Sequence, residues 1–269
     1  MTSLLRRSQA PLTDQAWEEV DSQAAQILKT QLSARRFVDI DGPHGWKLAA
    51  VDTGRLDLTE SDDEQDVPWG IRKVLPLVEL RLPFVLQQME LDAISRGSKD
   101  PDLEPLEQAA KKAAEFEESV IYGGLEAAQI QGILEAPQRK QIALPDDPLE
   151  YSNAVSMALK TLQAAGLPGP FALVLGTTPY FELMQKGCSG YPPHRLIEEM
   201  ISGPILPSSA VSGGVVISVA SGHFELTLGQ DWSVGYASHN RDEIELYITE
   251  SFMFRVLEPG AAVELTAAK

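Results

Sequence analysis

Cysteine is nearly absent: Cys188 is the single one in 269 residues. A lone thiol excludes an intrachain disulfide and leaves no cysteine set for a structural zinc. Histidine is scarce too. His44, His194, His223 and His239 are scattered, with no HExxH spacing, so no metal site is expected. Neither a Walker A loop nor a G-x-G-x-x-G turn occurs, which removes the usual backbone cradle for nucleotide phosphates. No apolar run approaches the roughly 20 residues of a membrane span. The opening MTSLLRRSQAPLTD has arginines but no apolar stretch behind them. No signal peptide is therefore expected, and the reducing cytoplasm is the expected location.

Positive charge is also in short supply. Lys and Arg number 22 against 39 Asp and Glu, a formal net charge of -17. Nucleic-acid binding needs phosphate-neutralising cations, and anionic membrane surfaces attract them, so neither partner is expected. What remains is globular: 43% hydrophobic and 23% charged residues lie far from a disordered composition. A chain of this length buries about three quarters of its unfolded surface, as one large domain or two modest ones.

Residues 13–32, TDQAWEEVDSQAAQILKTQL, place Trp17, Val20, Ala24, Ile27 and Leu28 near one helical face. Thr13 is the expected N-cap, with Leu12 and Trp17 as a hydrophobic staple. Residues 103–128 repeat the pattern with Leu106, Ala109, Ala110, Ala113, Phe116, Val120 and Ile121. Between the two helices, Leu48–Leu58 and Val78–Phe84 alternate apolar and polar residues and read as two arms of a long hairpin. From about residue 136 short helical and strand segments follow one another. A helix from Pro148, a strand FALVL, a helix from Thr178, a loop KGCSGYPP and a strand VVISVA lead to the short strands FELTL, SVGY, EIELYIT and FMFRVL. The class is α+β.

The hairpin's expected tip, TESDDEQDVPWG at 59–70, holds the densest acidic run. It lacks the order and closing Glu of a calcium loop. A solvated charge run is expected there, and a charged tip discourages uncontrolled pairing of an apolar ribbon. Cys188 and Ser189 lie shortly before His194, which leaves a cysteine or serine hydrolase open as an alternative. No G-x-S-x-G elbow supports it, because the glycines stand at 187 and 190.

Taken together, LLRRSQAPLTDQAWEEVD, KTQLSARRFVDIDGPHGW, IRKVLPLVELRLPFVLQQMELDAISRG, AAEFEESVIYGG, LGQDWSVGYASHNRD and ELYITESFMF resemble the encapsulins. These are nanocompartment shell proteins with the fold of tailed-phage major capsid proteins. The resemblance runs from end to end. It implies a peripheral domain from 1–47, 84–135 and 223–269, an extended hairpin loop at 48–83 lying on a neighbouring subunit, and an axial domain at 136–222. It implies a non-enzymatic subunit that self-assembles into an icosahedral shell of about 60 copies, the smallest closed form. The shell would enclose a cargo enzyme, a peroxidase or a ferritin-like protein, held by a C-terminal targeting peptide. A phage or prophage head protein packaging DNA is the other alternative. It is opposed by Glu18, Glu19 and Asp21 on a helix face that the capsid fold turns inward.

The resemblance also implies site residues. The cargo peptide would meet Ile27, Leu28, Gln31, Arg35 and Asp39 on one side, with Trp232 and Val234 on the other. If helix continued that far, Arg35 and Asp39, four apart, would suit an ion pair. The loop Gly187, Cys188, Ser189, Gly190 and Tyr191 would line a pore. Some encapsulins bind flavin through a tryptophan within the segment here reading VLQQMELDA. Met89 stands in that place and offers no aromatic stacking face, so no cofactor is expected. Trp232 stands where the family pattern has a smaller aliphatic residue.

Overall fold

Thr13 opens the first helix as TDQAWEEVD predicts: its Oγ1 accepts a hydrogen bond from the Ala16 amide at 3.2 Å, satisfying one free donor of the first turn. This helix, α1, runs Asp14–Gln31 and buries Ala16, Val20, Ala24 and Leu28. The structure, a computed structural model, describes residues 4–58, 67, 69–136, 140–186 and 190–267. After α1 come β1 (Asp39–Asp41), β2 (Ala50–Leu58), β3 (Gly70–Pro76), β4 (Val78–Gln87), α2 (Gln88–Ser95) and α3 (Glu104–Gly123). Next are β5 (Lys140–Ala143), α4 (Tyr151–Ala164), β6 (Phe171–Gly176), α5 (Thr177–Gln185) and α6 (Pro193–Ile201). The chain closes with β7 (Ile205–Ser208), β8 (Gly214–Ser218), β9 (Phe224–Leu228), β10 (Ser233–His239), β11 (Glu243–Val256) and β12 (Ala262–Thr266).

The first sheet is built on β11. The sequence predicts two short strands here, but one strand of 14 residues forms. Thr249, Glu250 and Ser251 join the halves because all three are buried and paired within the sheet. Along one edge β11 takes β4, from Glu243 opposite Gln87 to Phe252 opposite Val78. Along the other it takes β10 and then β9, with β1 added parallel to β9. The helices α1, α2 and α3 cover the face that carries Phe84, Leu86, Val234, Ile244, Leu246 and Ile248.

The segment Val78–Phe84, expected as the hairpin's second arm, is therefore a sheet strand. Its apolar face, Leu80, Leu82 and Phe84, meets the chain's own helices. The actual second arm is β3, paired with β2 from Ala50 opposite Pro76 to Leu58 opposite Gly70. The hairpin is thus shorter than the expected 48–83.

The second sheet has the order β5-β12-β8-β6-β7. All six residues of β6, FALVLG, are buried, as suits a strand covered on both faces. On one face lie Tyr151, Val155, Leu159 and Leu162 of α4, with Leu183 and Ile197 from the next two helices. On the other, Val174, Val215 and Ile217 join Val120, Ile121 and Tyr122 from the end of α3. The expected division put all of 223–269 with the first lobe. Instead β12 sits between β5 and β8 in the second sheet, burying Ala262, Val263 and Leu265. Two boundaries also move. The helix expected to reach 128 stops at Gly123, because Gly124 takes φ +75, a conformation glycine tolerates best. Pro148 opens a 3₁₀ turn, capped by Asp147 accepting from the Leu149 amide at 3.1 Å, and α4 itself begins at Tyr151.

Candidate functional site

A cleft of about 550 Å³ opens between α1 and the β10 side of the first sheet. Its apolar wall follows from the helix period. Ala24, Leu28 and Leu32 recur at helical spacing and line the cleft, while Val234 and Ile248 face them from the sheet. Leu28 and Leu32 also pack on Ala114 of α3 and on Trp232.

The charged end of the cleft is built around Arg35, which lies in the 3₁₀ turn Ala34–Arg36 after α1. Its Nε and Nη2 donate to Glu117 of α3 at 2.9 and 2.7 Å. Nη1 donates to Asp231 at 2.9 Å, and Nη2 also bonds Glu250 of β11. Trp232 is held by the same group: its indole N–H donates to Glu117 at 3.1 Å and its amide to Asp231 at 2.8 Å. Glu117 and Glu250 are fully buried. Burial, then the neighbouring Glu117 charge, pushes the Glu250 carboxyl well above the ordinary range, with Arg35 pulling the other way. Glu250 Oε2 is buried without a hydrogen-bond partner among the described residues, which adds to the cost of its charged form. For Arg35, burial opposes the charge, but the bonds and charges of Glu117, Glu250 and Asp231 outweigh it and raise the pKa.

Of the residues expected to line a peptide site, Leu28, Arg35, Trp232 and Val234 converge on this cleft. Ile27 turns into the core between helices and sheet, and Gln31 is exposed outside the lining. Asp39 is elsewhere, accepting from Ser221 Oγ at 2.9 Å and the Gly222 amide at 2.5 Å. The ion pair with Arg35 does not form, because α1 ends at Gln31 and Asp39 belongs to a strand. The sequence reading missed Asp21, Ala25, Lys29, Leu32 and Arg36. Extending the helix face from Leu28 by three and four residues each way would have found Ala25 and Leu32, and a second step from Ala25 reaches Asp21 and Lys29. It also missed Arg7, which no local pattern reveals. Arg7 bonds Asp21 at 2.6 Å and lies over the Trp17 ring at 4.1 Å. The backbone carries it there, since Leu5 accepts a hydrogen bond from the Tyr236 amide at 2.8 Å.

Of the expected pore loop, Gly187, Cys188 and Ser189 lie outside the described residues, as does the acidic run 59–66. Gly190 and Tyr191 are exposed. The Tyr191 hydroxyl donates to Glu199 at 2.5 Å, and this bond raises its pKa. His239 turns to the Tyr236 hydroxyl, 2.5 Å from its Nδ1. Among the described residues no group of three metal-ligating side chains occurs, and no helix is long and apolar enough to cross a membrane.

The family model Linocin_M18, described as an encapsulating protein for peroxidase, matches residues 1–253. The type 1 encapsulin shell protein of Mycobacterium tuberculosis is 38% identical over 262 residues, covering 97% of this chain and 98% of that one. Among solved structures, the virus-like particle from Pyrococcus furiosus superposes with a TM-score of 0.67 at 18% identity, over 93% of this chain and 99% of its own. The capsid of an empty GTA particle gives 0.58 at 15% identity, over 88% and 90%. These last two likenesses make the fold that of a capsid protein.

Proposed function

The chain belongs to the encapsulating shell-protein family, and on that premise we propose that it closes into an icosahedral compartment holding a cargo protein through a short peptide in the cleft beside α1. As a family member it is a structural subunit that self-assembles into a multimeric shell, not an enzyme. The finer reading is of about 60 copies in the cytoplasm under closed symmetry. In it the first sheet with α1–α3 is the peripheral domain, the second sheet with α4–α6 the axial domain, and β2–β3 the arm onto a neighbour. The cargo is read as a peroxidase or ferritin-like enzyme with a C-terminal targeting tail. Met89, 70% exposed on α2, gives no stacking face, so the shell is read as free of flavin.

The observation that carries the docking reading is the cleft itself. An apolar groove of about 550 Å³, walled by Leu28 and Val234 and ended by a fixed charged cluster, has the size and make-up of a short-peptide site. Many copies on one wall would hold a multimeric cargo by avidity, so modest affinity per site suffices. Arg35→Glu is a poor probe, because it would set a fourth acid against Glu117, Asp231 and Glu250 and disrupt that end of the wall. Ala25 is exposed and lines the cleft without touching that cluster. Ala25→Trp should leave particles of wild-type size but lower their cargo content about tenfold or more, about 1.4 kcal/mol of docking energy. The measurement is the cargo-to-shell ratio of particles purified from the source cell. Cargo at the wild-type ratio would place the docking site elsewhere.

A further inference from the structure

The cleft carries four cations and two acids on its walls, and their pairing is uneven. Arg7 is taken by Asp21 at 2.6 Å, and Arg35 by Glu117, Asp231 and Glu250. Lys29 and Arg36 also line the cleft, and among the described residues neither makes an ion pair or a side-chain hydrogen bond. In a chain with 39 acids and 22 bases, these two bases stand together at one apolar groove with no described acid on either. Lys29 lies in the last turn of α1, where the helix carbonyls favour a cation. Arg36 follows in the 3₁₀ turn, so the end of the helix sets the two beside the same opening.

We propose that Lys29 and Arg36 form a carboxylate clamp, so that the docked peptide carries an acidic group beside its apolar residues. This rests on the docking reading above and adds the chemistry of the occupant. The apolar wall takes the peptide's alternate side chains. The clamp fixes the register, because a guanidinium recognises a carboxylate through two parallel hydrogen bonds and an ammonium adds a point charge. The carboxylate is either an Asp or Glu side chain or the peptide's own C-terminus.

The test uses a fluorescent protein with a randomised tail of about ten residues, long enough to cross the groove at ~3.3 Å per residue, co-expressed with the full chain. Tails that co-purify with assembled particles are sequenced. One library ends at its free carboxylate, and a second adds a neutral Gly-Ser extension that moves the terminus away. Recovered tails should be apolar at alternate positions, with Asp or Glu enriched about two- to fivefold, the range an exposed pair supports. If the terminal carboxylate is the group held, that enrichment is replaced by a matching loading advantage of the unextended library. Lys29→Gln with Arg36→Gln should abolish either preference, and Lys29→Glu with Arg36→Glu should favour basic tails. Sedimentation checks that each variant still forms particles, as expected for exposed residues without partners. Apolar enrichment with no charge preference in any arm would overturn the clamp and leave the docking site standing. No enrichment of any tail would overturn both.

Discussion

Glu250 shows why the charged end of the cleft could not be read from the sequence. Arg35 is recognisable as a candidate, but its partners lie 82, 196 and 215 residues away along the chain. No local spacing encodes such contacts; the spacing of Arg35 and Asp39 suits a pair only within a helix, and α1 ends at Gln31. The buried carboxyl has a measurable consequence. Its pKa is raised on folding, so the native state keeps a proton that the unfolded chain releases. Stability therefore falls as pH rises from the ordinary carboxyl range toward the raised value. Glu250→Gln removes this linkage. Its melting temperature relative to wild type should be higher at pH 8 than at pH 5, by about 2–4 °C per kcal/mol of proton linkage. An offset equal at both pH values would show that Glu250 is not the group holding the proton. Glu118 is the second buried acid of this kind, and it joins the two lobes. It accepts hydrogen bonds from Ser33 Oγ at 2.5 Å, the Ala34 amide at 2.9 Å and, from the second lobe, Ser208 Oγ at 2.8 Å. Burial raises its pKa, and these three donors work against that rise. Glu118→Ala leaves all three donors without their acceptor and should destabilise the subunit by about 3 kcal/mol. Glu118→Gln keeps an acceptor oxygen and should cost less than half as much. Denaturant midpoints measure both. An alanine variant within about 0.5 kcal/mol of wild type, the size of an ordinary surface change, would mean the joint does not depend on this network.

At the scale of elements, the two long helices were legible because each holds one apolar face over several turns. The hairpin was legible only in part. Period-two alternation reports that one face of Val78–Phe84 is covered, but not whether a neighbour or the chain's own helices cover it. The same limit hid β12, whose apolar residues suit either sheet. The true hairpin carries a bulge: the β2–β3 register shifts between Asp52 and Leu56, and Gly54 there has φ +71. A β-branched residue at that backbone angle costs about 1–2 kcal/mol. Gly54→Val should therefore misdirect the arm while sparing both lobes. Its far-ultraviolet circular dichroism should match wild type while particle yield drops severalfold. Wild-type yield would show that the bulge does not set the arm's direction.

For the whole molecule, the exposed side chains point beyond the single subunit. Leu58 is 76% exposed, Ile71 63% and Leu56 56%, all on the hairpin. A two-stranded ribbon is marginal in water without a surface to lie on, and among the described residues this one joins the chain's own apolar core near its base, through Val51 and Leu75. The capsid-like fold was legible because several long segments match the family in the same order; the partition of the lobes depended on strand pairings far apart along the chain. If the arm owes its order to a neighbour, removing its outer part should separate folding from assembly. Deleting 56–74 and closing the gap with a short Gly-Ser turn keeps Val51 and Leu75 in place. The product should be a soluble, folded subunit that forms no closed particles by sedimentation and negative-stain microscopy. Closed particles of wild-type size from this deletion would show that the lobes alone hold the shell together and that the arm is dispensable.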